Sequence, residues 1–236
     1  MASLLKFTEV SSTNTYLKEH FEELPDKTVV TADTQTAGRG RFDRRWISQP
    51  GGLYFSVLVK PQKTDFIANL TQLMALSVCQ AAEQFSLTPT IKWPNDVLLN
   101  GKKLCGILSE AVAQAGQVAC VIVGCGVNVA QADLSSVGQP AVSLKELGVT
   151  VDKYDFLNSV LTYFWQGYEN VLTNGFCALR SEYQKRFPLI GQHIAVKNGS
   201  KEVSGVASGL TSNGTLLVTT GNGPQEVLIG DLYECR

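Results

Sequence analysis

The sequence is poor in histidine and has no paired cysteines. Its two histidines, His20 and His193, have neither a neighbouring nucleophile nor metal-ligand spacing, which leaves both as ordinary structural or surface residues. The six cysteines, Cys79, Cys105, Cys120, Cys125, Cys177 and Cys235, show no CxxC spacing and no partnering histidine cluster. They are expected to be reduced thiols of a cytoplasmic protein, which excludes a disulfide framework. Charge imbalance is absent too: a formal net charge of −1 and a sequence pI of about 6.1 provide no bulk field for DNA or an anionic membrane. No apolar run reaches membrane-spanning length. Residues 66–86 come nearest, but Asn69, Gln72, Gln80, Glu83 and Gln84 interrupt them, which suits a half-buried helix. The first residues contain no signal-peptide core, so the sequons at Asn69 and Asn198 carry no weight. There is no internal repeat and no low-complexity tract. The reading is a soluble chain of 236 residues, enough for one large domain or a main domain with a small appendix.

Against that even background, residues 38–46, reading GRGRFDRRW, stand apart. They put Arg39, Arg41, Arg44 and Arg45 within seven residues, between two glycines and a tryptophan. A guanidinium is permanently charged and shaped to grip carboxylate or phosphate oxygens through a fork of donors. Four together imply an anionic ligand such as a phosphate chain or an acyl phosphate. Gly38 and Gly40 are expected to let backbone amides approach that anion. On this stretch alone, a solvated basic loop or a nucleic-acid patch is the alternative. Four like charges on a glycine-containing loop are also expected to repel, leaving residues 38–46 poorly ordered until a ligand binds.

In chain order, Leu4–Val10 reads as a strand. Ser11, Ser12, Thr13 and Asn14 then open a helical pattern carried by Tyr16, Leu17, His20 and Phe21. Such residues are first of all helix caps, and at a helix N-terminus they can also hydrogen-bond a small polar ring. Residues 28–32 read as a buried strand leading toward the arginine loop, near which Gln35 offers a donor and an acceptor. After the turn at Pro50, Gly51 and Gly52 come a strand over 53–60 and a long amphipathic scaffold helix over 65–86.

Residues 90–97, TIKWPNDV, are the second informative stretch. Ile91 to Trp93 continue a strand, Pro94 stops ladder pairing, and Asn95 with Asp96 turn the chain. A lysine at a strand end usually snorkels to the surface, but the Trp-Pro-Asn-Asp that follows Lys92 favours a place in a site. Asn100 and Gly101 signal a hairpin returning over 103–110, where Gly106 implies a bulge or a ligand against the backbone. Residues 117–123 read as a buried strand ending at Gly124, Cys125 and Gly126. Asn128 is then either an ordinary turn asparagine or a partner for a nucleobase edge. Residues 152–172 and 176–187 read as amphipathic helices, the second ending near Pro188. Four short strands at 193–197, 202–210, 215–219 and 225–229 follow, a small barrel of about 50 residues that needs a neighbour for stability.

Taken in order, GRGRFDRRW, KWPND, the Gly106, Ile107, Leu108 run and the Gly126, Val127, Asn128 run closely resemble the biotin protein ligases, from about Val10 to the C-terminus. The resemblance implies an α/β (α+β) fold: a mixed-sheet catalytic domain of the class II aminoacyl-tRNA synthetase type over 1–187, and an SH3-like barrel over 188–236. The chain starts almost at the Ser-Thr-Asn segment, which fits the monofunctional type without a DNA-binding helix-turn-helix. The implied chemistry uses MgATP to convert biotin to biotinyl-5′-AMP and then acylates a lysine of a biotin carboxyl carrier protein, usually of acetyl-CoA carboxylase.

By the same resemblance, Ser12, Thr13, Asn14 and Gln35 would bind the biotin head, with Gly106, Ile107 and Leu108 against it. Arg39, Gly40 and Arg41 would close over biotin and phosphate. Lys92, between the biotin carboxyl and the α-phosphate, would be the catalytic cation. Arg44 would reach the pyrophosphate, Trp46 would pack on adenine, Asn128 would bond its edge, and Asn95 and Asp96 would help to hold Mg²⁺. Many members pair as homodimers through the sheet, which allows the same here. The rivals are a lipoate ligase, whose glycine-rich signature is missing, a DNA-binding biotin sensor, and a scaffold that has lost activity.

Overall fold

The computed structural model describes residues 3–131 and 133–234, so Cys235 lies outside the described residues. Strands β1 (Leu4–Val10), β2 (Val29–Gln35), β3 (Leu53–Val59), β4 (Thr90–Lys92), β5 (Asp96–Leu99), β6 (Lys102–Gln114) and β7 (Gln117–Val127) form one sheet. Their order is β1-β2-β3-β7-β6-β5-β4. Only β1 and β2 run parallel; the other neighbours are antiparallel. Helix α1 (Thr13–His20) covers part of one face, and α2 (Asn69–Glu83) and α3 (Lys153–Asn174) cover the other.

The period-2 alternation of a strand decides which residue faces which layer. Along β7, Val121, Val123, Cys125 and Val127 enter the main core with Leu70, Leu73, Phe156 and Phe164 of the two long helices. The alternate residue Ile122 joins a smaller cluster with Leu17, Val30, Leu58 and Cys120 under α1. The next residues on that second face are Gly124 and Gly126, so the apolar layer stops there. Helix α2 begins at Asn69, shorter than the 65–86 pattern, because the preceding residues form turns. Asp152 caps α3 by accepting from the backbone N–H of Tyr154 and Asp155. Among the described residues, no helix is long and apolar enough to cross a membrane.

Three elements differ from the sequence reading. Strand β7 runs through both glycines to Val127 because its ladder with β3 and β6 is unbroken there. Residues 176–187 are a 3₁₀ turn (Gly175–Ala178) and the short helix α4 (Arg180–Lys185). Residues 228 and 229 are an exposed connection to a strand the sequence did not suggest, β12 (Asp231–Glu234), in which Leu232 is the buried apolar residue.

Strand β12 completes a five-stranded antiparallel sheet with β8 (His193–Asn198), β9 (Lys201–Leu210), β10 (Leu216–Thr220) and β11 (Gly223–Val227), in the order β11-β10-β9-β8-β12. Its Ile194, Val196, Leu210, Leu216 and Val218 belong to the same buried cluster as the main sheet and its helices. Polar contacts reinforce the seam. The Asn69 side-chain amide donates to the Asn213 carbonyl at 2.8 Å and the Gln72 amide to the Gly214 carbonyl at 2.8 Å. Gly214 has φ of +80°, and a Cβ there would lie 2.4 Å from Gln72 Oε1. Gly214→Ala is therefore expected to lower stability by about 2 kcal/mol, combining backbone strain with overpacking. Equilibrium urea unfolding followed by tryptophan fluorescence tests this, and an unchanged midpoint would refute the fit at the seam.

Candidate functional site

Where the apolar layer ends, a cavity of about 470 Å³ opens on the α1 face of the sheet. Its floor is nearly bare backbone. Gly106 of β6 and Gly126 of β7 are register partners, and so are Leu108 and Gly124. The Trp46 indole lies on the first pair: a Cβ at Gly126 would sit 2.4 Å from the ring, and one at Gly106 2.8 Å from it. A Cβ at Gly124 would sit 2.1 Å from the side-chain oxygen of Asn14. Gly106 interrupts its strand for this reason, a close approach and not a bulge.

The start of α1 forms one wall. Ser12 caps the helix, accepting from the Thr15 N–H at 3.4 Å, and Ser12, Thr13 and Asn14 are all buried. The Thr13 backbone N–H donates to Gln35 Oε1 at 2.9 Å, and Gln35 Nε2 donates to the Ser48 hydroxyl at 2.8 Å. The Ser56 hydroxyl lies 2.7 Å from that of Thr13 and donates to Asn14 Oδ1 at 2.6 Å. Asn14 Nδ2 in turn donates to Glu110 Oε2 at 2.8 Å and to the Leu108 carbonyl at 3.2 Å. Every polar atom in this wall thus has its orientation dictated by a neighbour.

Residues 38–46 form a small hairpin over the cavity. The Gly40 N–H donates to the Arg44 carbonyl at 2.6 Å and the Trp46 N–H to the Gly38 carbonyl at 2.9 Å. Phe42 and Asp43 form the turn, both with positive φ, the signature of a type I′ hairpin. The Gly40 amide is therefore committed to the hairpin and not offered to an anion, which corrects the expected role of its N–H. Gly38 is needed sterically, since a Cβ there would meet the Trp46 carbonyl at 2.5 Å.

Each arginine of the hairpin has its own acceptor, which offsets the expected repulsion among them, although Arg44 still acts against the charge of Arg41. Arg39 Nη2 bonds both Glu110 oxygens at 2.6 and 2.7 Å. Arg41 donates to Asn95 Oδ1 at 2.8 Å and to the Gly230 carbonyl at 3.0 Å. Arg44 forks onto both Asp231 oxygens, and Arg45 donates to the Thr36 carbonyl at 3.2 Å. Burial pulls Arg41 below its usual pKa despite the nearby Asp231 and Asp96 carboxylates. The hydrogen bond to Asp231 pushes Arg44 above its own.

Lys92, at the end of β4, enters the cavity with its Nζ 5.7 Å from the centre of the Tyr233 ring. Among the described residues its side chain makes no hydrogen bond or ion pair. Strand β4 is anchored from behind, where the Ile91 N–H donates to the Arg186 carbonyl at 2.6 Å and the Arg186 guanidinium forks onto Glu83. Next to Lys92, Asp96 pairs with Lys103 at 2.8 Å, and its Oδ1 is buried with no hydrogen-bond partner in the described structure.

Of the residues singled out from the sequence for the site, the cavity lining gathers all but Gly38 and Asn128. Asn128 is buried, its Nδ2 donating to the Lys103 carbonyl at 3.1 Å and its Oδ1 accepting from Gln131, so it lies outside the cavity lining. Ile107 borders the cavity, yet it is buried in the helix-side core. Sequence reasoning missed Ser56, Lys103, Glu110, Gly124, Asp231 and Tyr233, which also line or buttress the site. Ser56 had a signal, a lone serine inside the apolar run LYFSVLV. Asp231 and Tyr233 had none, since only the second sheet brings them near.

Two family models match the chain: the biotin/lipoate A/B protein ligase family over residues 5–128, and the biotin protein ligase C-terminal domain over residues 189–231. The bifunctional ligase/repressor BirA of Bacillus subtilis is 35% identical over 221 residues, covering 88% of this chain. This chain spans 66% of that relative's length. The biotin–[acetyl-CoA-carboxylase] ligase of Paracoccus denitrificans is 33% identical over 217 residues, covering 86% of this chain and 89% of the relative. The structure of biotin protein ligase from Aquifex aeolicus in complex with biotin and ATP superimposes with a TM-score of 0.89 at 31% identity, covering all of both chains. By these matches, the chain belongs to the biotin protein ligases of the biotin/lipoate A/B protein ligase family.

Proposed function

We propose that this chain activates biotin with MgATP to biotinyl-5′-AMP and transfers the biotinyl group to a lysine of a biotin carboxyl carrier domain. The observation that carries this reading is Lys92: a cation whose side chain has no hydrogen-bond or ion-pair partner among the described residues, in one cavity with a polar head pocket and an arginine hairpin. The first step forms a bond from the biotin carboxylate oxygen to the α-phosphorus and breaks the bond to pyrophosphate. The second forms an amide from the acceptor amine and releases AMP. Neither step needs a nucleophile from the enzyme. The chain's task is to hold two anions in contact and to stabilise the charge that develops between them.

Ser12, Thr13, Asn14 and Gln35 take the ring of biotin, with Gly106, Ile107 and Leu108 beside it. Arg39, Gly40 and Arg41 cover the biotin carboxyl and the phosphates. Lys92 faces the α-phosphate and the acyl oxygen. Arg44 takes pyrophosphate by leaving Asp231. Trp46 stacks on adenine; its buried indole N–H has no acceptor in the described structure, which leaves it available to a ligand. The Asn128 amide is occupied by Lys103 and Gln131, so adenine-edge binding by its side chain requires those bonds to be exchanged.

The donor set fits Mg²⁺ in a restricted way. The partnerless Asp96 Oδ1 is a suitable oxygen, whereas Asn95 Oδ1 already accepts from Arg41. Among the described residues no group of three or more acidic, histidine or cysteine side chains converges, so phosphate and water oxygens would supply the remaining ligands. When bound, the ion would offset phosphate charge.

Residues 1–187 form the catalytic unit and 188–236 the smaller one, which supplies Asp231 and Tyr233 to the same cavity. The free thiols at Cys79, Cys105, Cys120, Cys125 and Cys177 support a cytoplasmic setting.

Purified chain with Mg²⁺ is expected to catalyse ATP–pyrophosphate exchange that depends on biotin and not on lipoate. Exchange driven equally by lipoate, or no exchange from folded protein, would reject the reading. Lys92→Ala is expected to slow adenylate formation by about two orders of magnitude, since it removes a charge-assisted contact made chiefly in the transition state. Single-turnover formation at the parental rate would remove Lys92 from its role. Gly126→Ala lifts the Trp46 indole and is expected to raise the KM for ATP about tenfold, with biotin affinity retained. A variant weakened for biotin alone would contradict the adenine assignment.

A further inference from the structure

Among the described residues, Glu110 is the one carboxylate that joins the head pocket to the arginine hairpin. It lies on β6 two residues beyond Leu108, so alternation turns it to the α1 face, and its side chain is only 20% exposed. Its two oxygens collect bonds from opposite sides of the cavity. From the hairpin, Arg39 Nη2 approaches both at 2.6 and 2.7 Å; from the wall, Asn14 Nδ2 donates to Oε2 at 2.8 Å.

These bonds close a circuit. From Arg39 it passes through Glu110, Asn14, Ser56, Thr13, Gln35 and Ser48. It returns to the hairpin where the Ser48 hydroxyl donates to the Trp46 carbonyl at 3.2 Å. Direction within the circuit follows from chemistry. An ionised carboxylate only accepts, so it draws the amide nitrogen of Asn14 toward itself and turns the amide oxygen toward the Ser56 hydroxyl. The Asn14 oxygen then lies against Gly124, with no space for a side chain beneath it. A neutral amide in place of Glu110 offers donors as well as an acceptor, and the Asn14 amide loses its reason to face one way. Arg39 loses the only ion-pair partner it has among the described residues.

We propose that Glu110 is a positioning residue for biotin: it sets the orientation of the Asn14 amide and seats Arg39, so that head pocket and hairpin form as one unit. This rests on the reading that the cavity binds biotin. Its effect falls chiefly on biotin binding, through Asn14 in the head pocket and the seating of Arg39 over the biotin carboxyl, with a smaller effect on kcat through the cover that Arg39 gives the phosphates.

The test is isothermal titration of biotin into the full chain and the folded variants Glu110→Gln, Glu110→Asp, Asn14→Ala and the Asn14→Ala/Glu110→Gln pair, with steady-state pyrophosphate exchange alongside. Glu110→Gln is expected to weaken biotin binding about tenfold or more, the loss typical of a hydrogen bond to a charged group. The biotin KM should rise in parallel, with kcat within about threefold of parental. Glu110→Asp keeps the charge and is expected to recover most of the affinity. The double variant is expected to be little worse than Asn14→Ala alone, the non-additivity of a shared network. A parental affinity in Glu110→Gln, a loss confined to kcat, or additive losses would overturn the proposal while leaving biotin binding by the parent intact. Failure of the parent itself to bind biotin would overturn both readings.

Discussion

The Asn14 amide and the Trp46 indole approach the backbone of β6 and β7 more closely than any side chain on those strands would permit, and the site is built on that approach. A Cβ at Gly124 or Gly126 would fall within 2.1 or 2.4 Å of them. Strand pairing supplies the bare surface. Gly106 faces Gly126 in register, so two glycines widely separated in sequence make one gap in the apolar layer. On the reverse face the same strands carry Cys105, Ile107, Cys125 and Val127 into the main core, which keeps the floor rigid. The cavity exists because one face of the sheet is left unfilled while the other is packed.

Electrostatics then determines what the cavity receives. Over this floor each of the four guanidinium groups has an acceptor of its own: Glu110 on the sheet, Asn95 and Gly230 at the seam, Asp231 on the second sheet, and Thr36 beside the hairpin. Asp231 occupies Arg44, a cation that an anionic ligand would otherwise take, so binding there is an exchange of one anion for another, whereas Glu110 holds Arg39 in its place over the head pocket. Lys92 is different. It has no such partner in the described structure, so an incoming anion meets it without displacing anything.

The smaller sheet is part of this arrangement. Its apolar face merges with the core under α2 and α3, and Gly214 accepts from Gln72 at the seam. That packing brings Asp231 within reach of Arg44 and Tyr233 over Lys92. A segment of this size buries too little apolar surface to hold such residues in place by itself. Its contribution to the site therefore depends on the neighbour it packs against.

Much of the site was legible in the amino-acid order. Residues 38–46 and 90–97 carry charges and turn residues whose chemistry is local, so Arg39, Arg41, Arg44, Lys92 and Trp46 could be chosen without a fold. Ser12 as a cap and Gly106 as a point of close approach were likewise readable from local rules. Long-range geometry was not. The strand running through Gly124 and Gly126 is held by ladders to β3 and β6 that outweigh the low strand propensity of glycine, and β12 is too short and polar to announce itself. Glu110 and Asp231 are ordinary residues in sequence; they matter because strand register and the seam between sheets bring them to groups far along the chain. The sequence by itself determined the residue chemistry, four arginines clustered between glycines and a tryptophan and a lysine set before Trp-Pro-Asn-Asp, because that information resides in residue type and spacing. Only the tertiary structure decided which groups meet, removing Asn128 from the cavity and joining Asn14 to Arg39 through Glu110, because pairing and packing act between residues that sequence order separates.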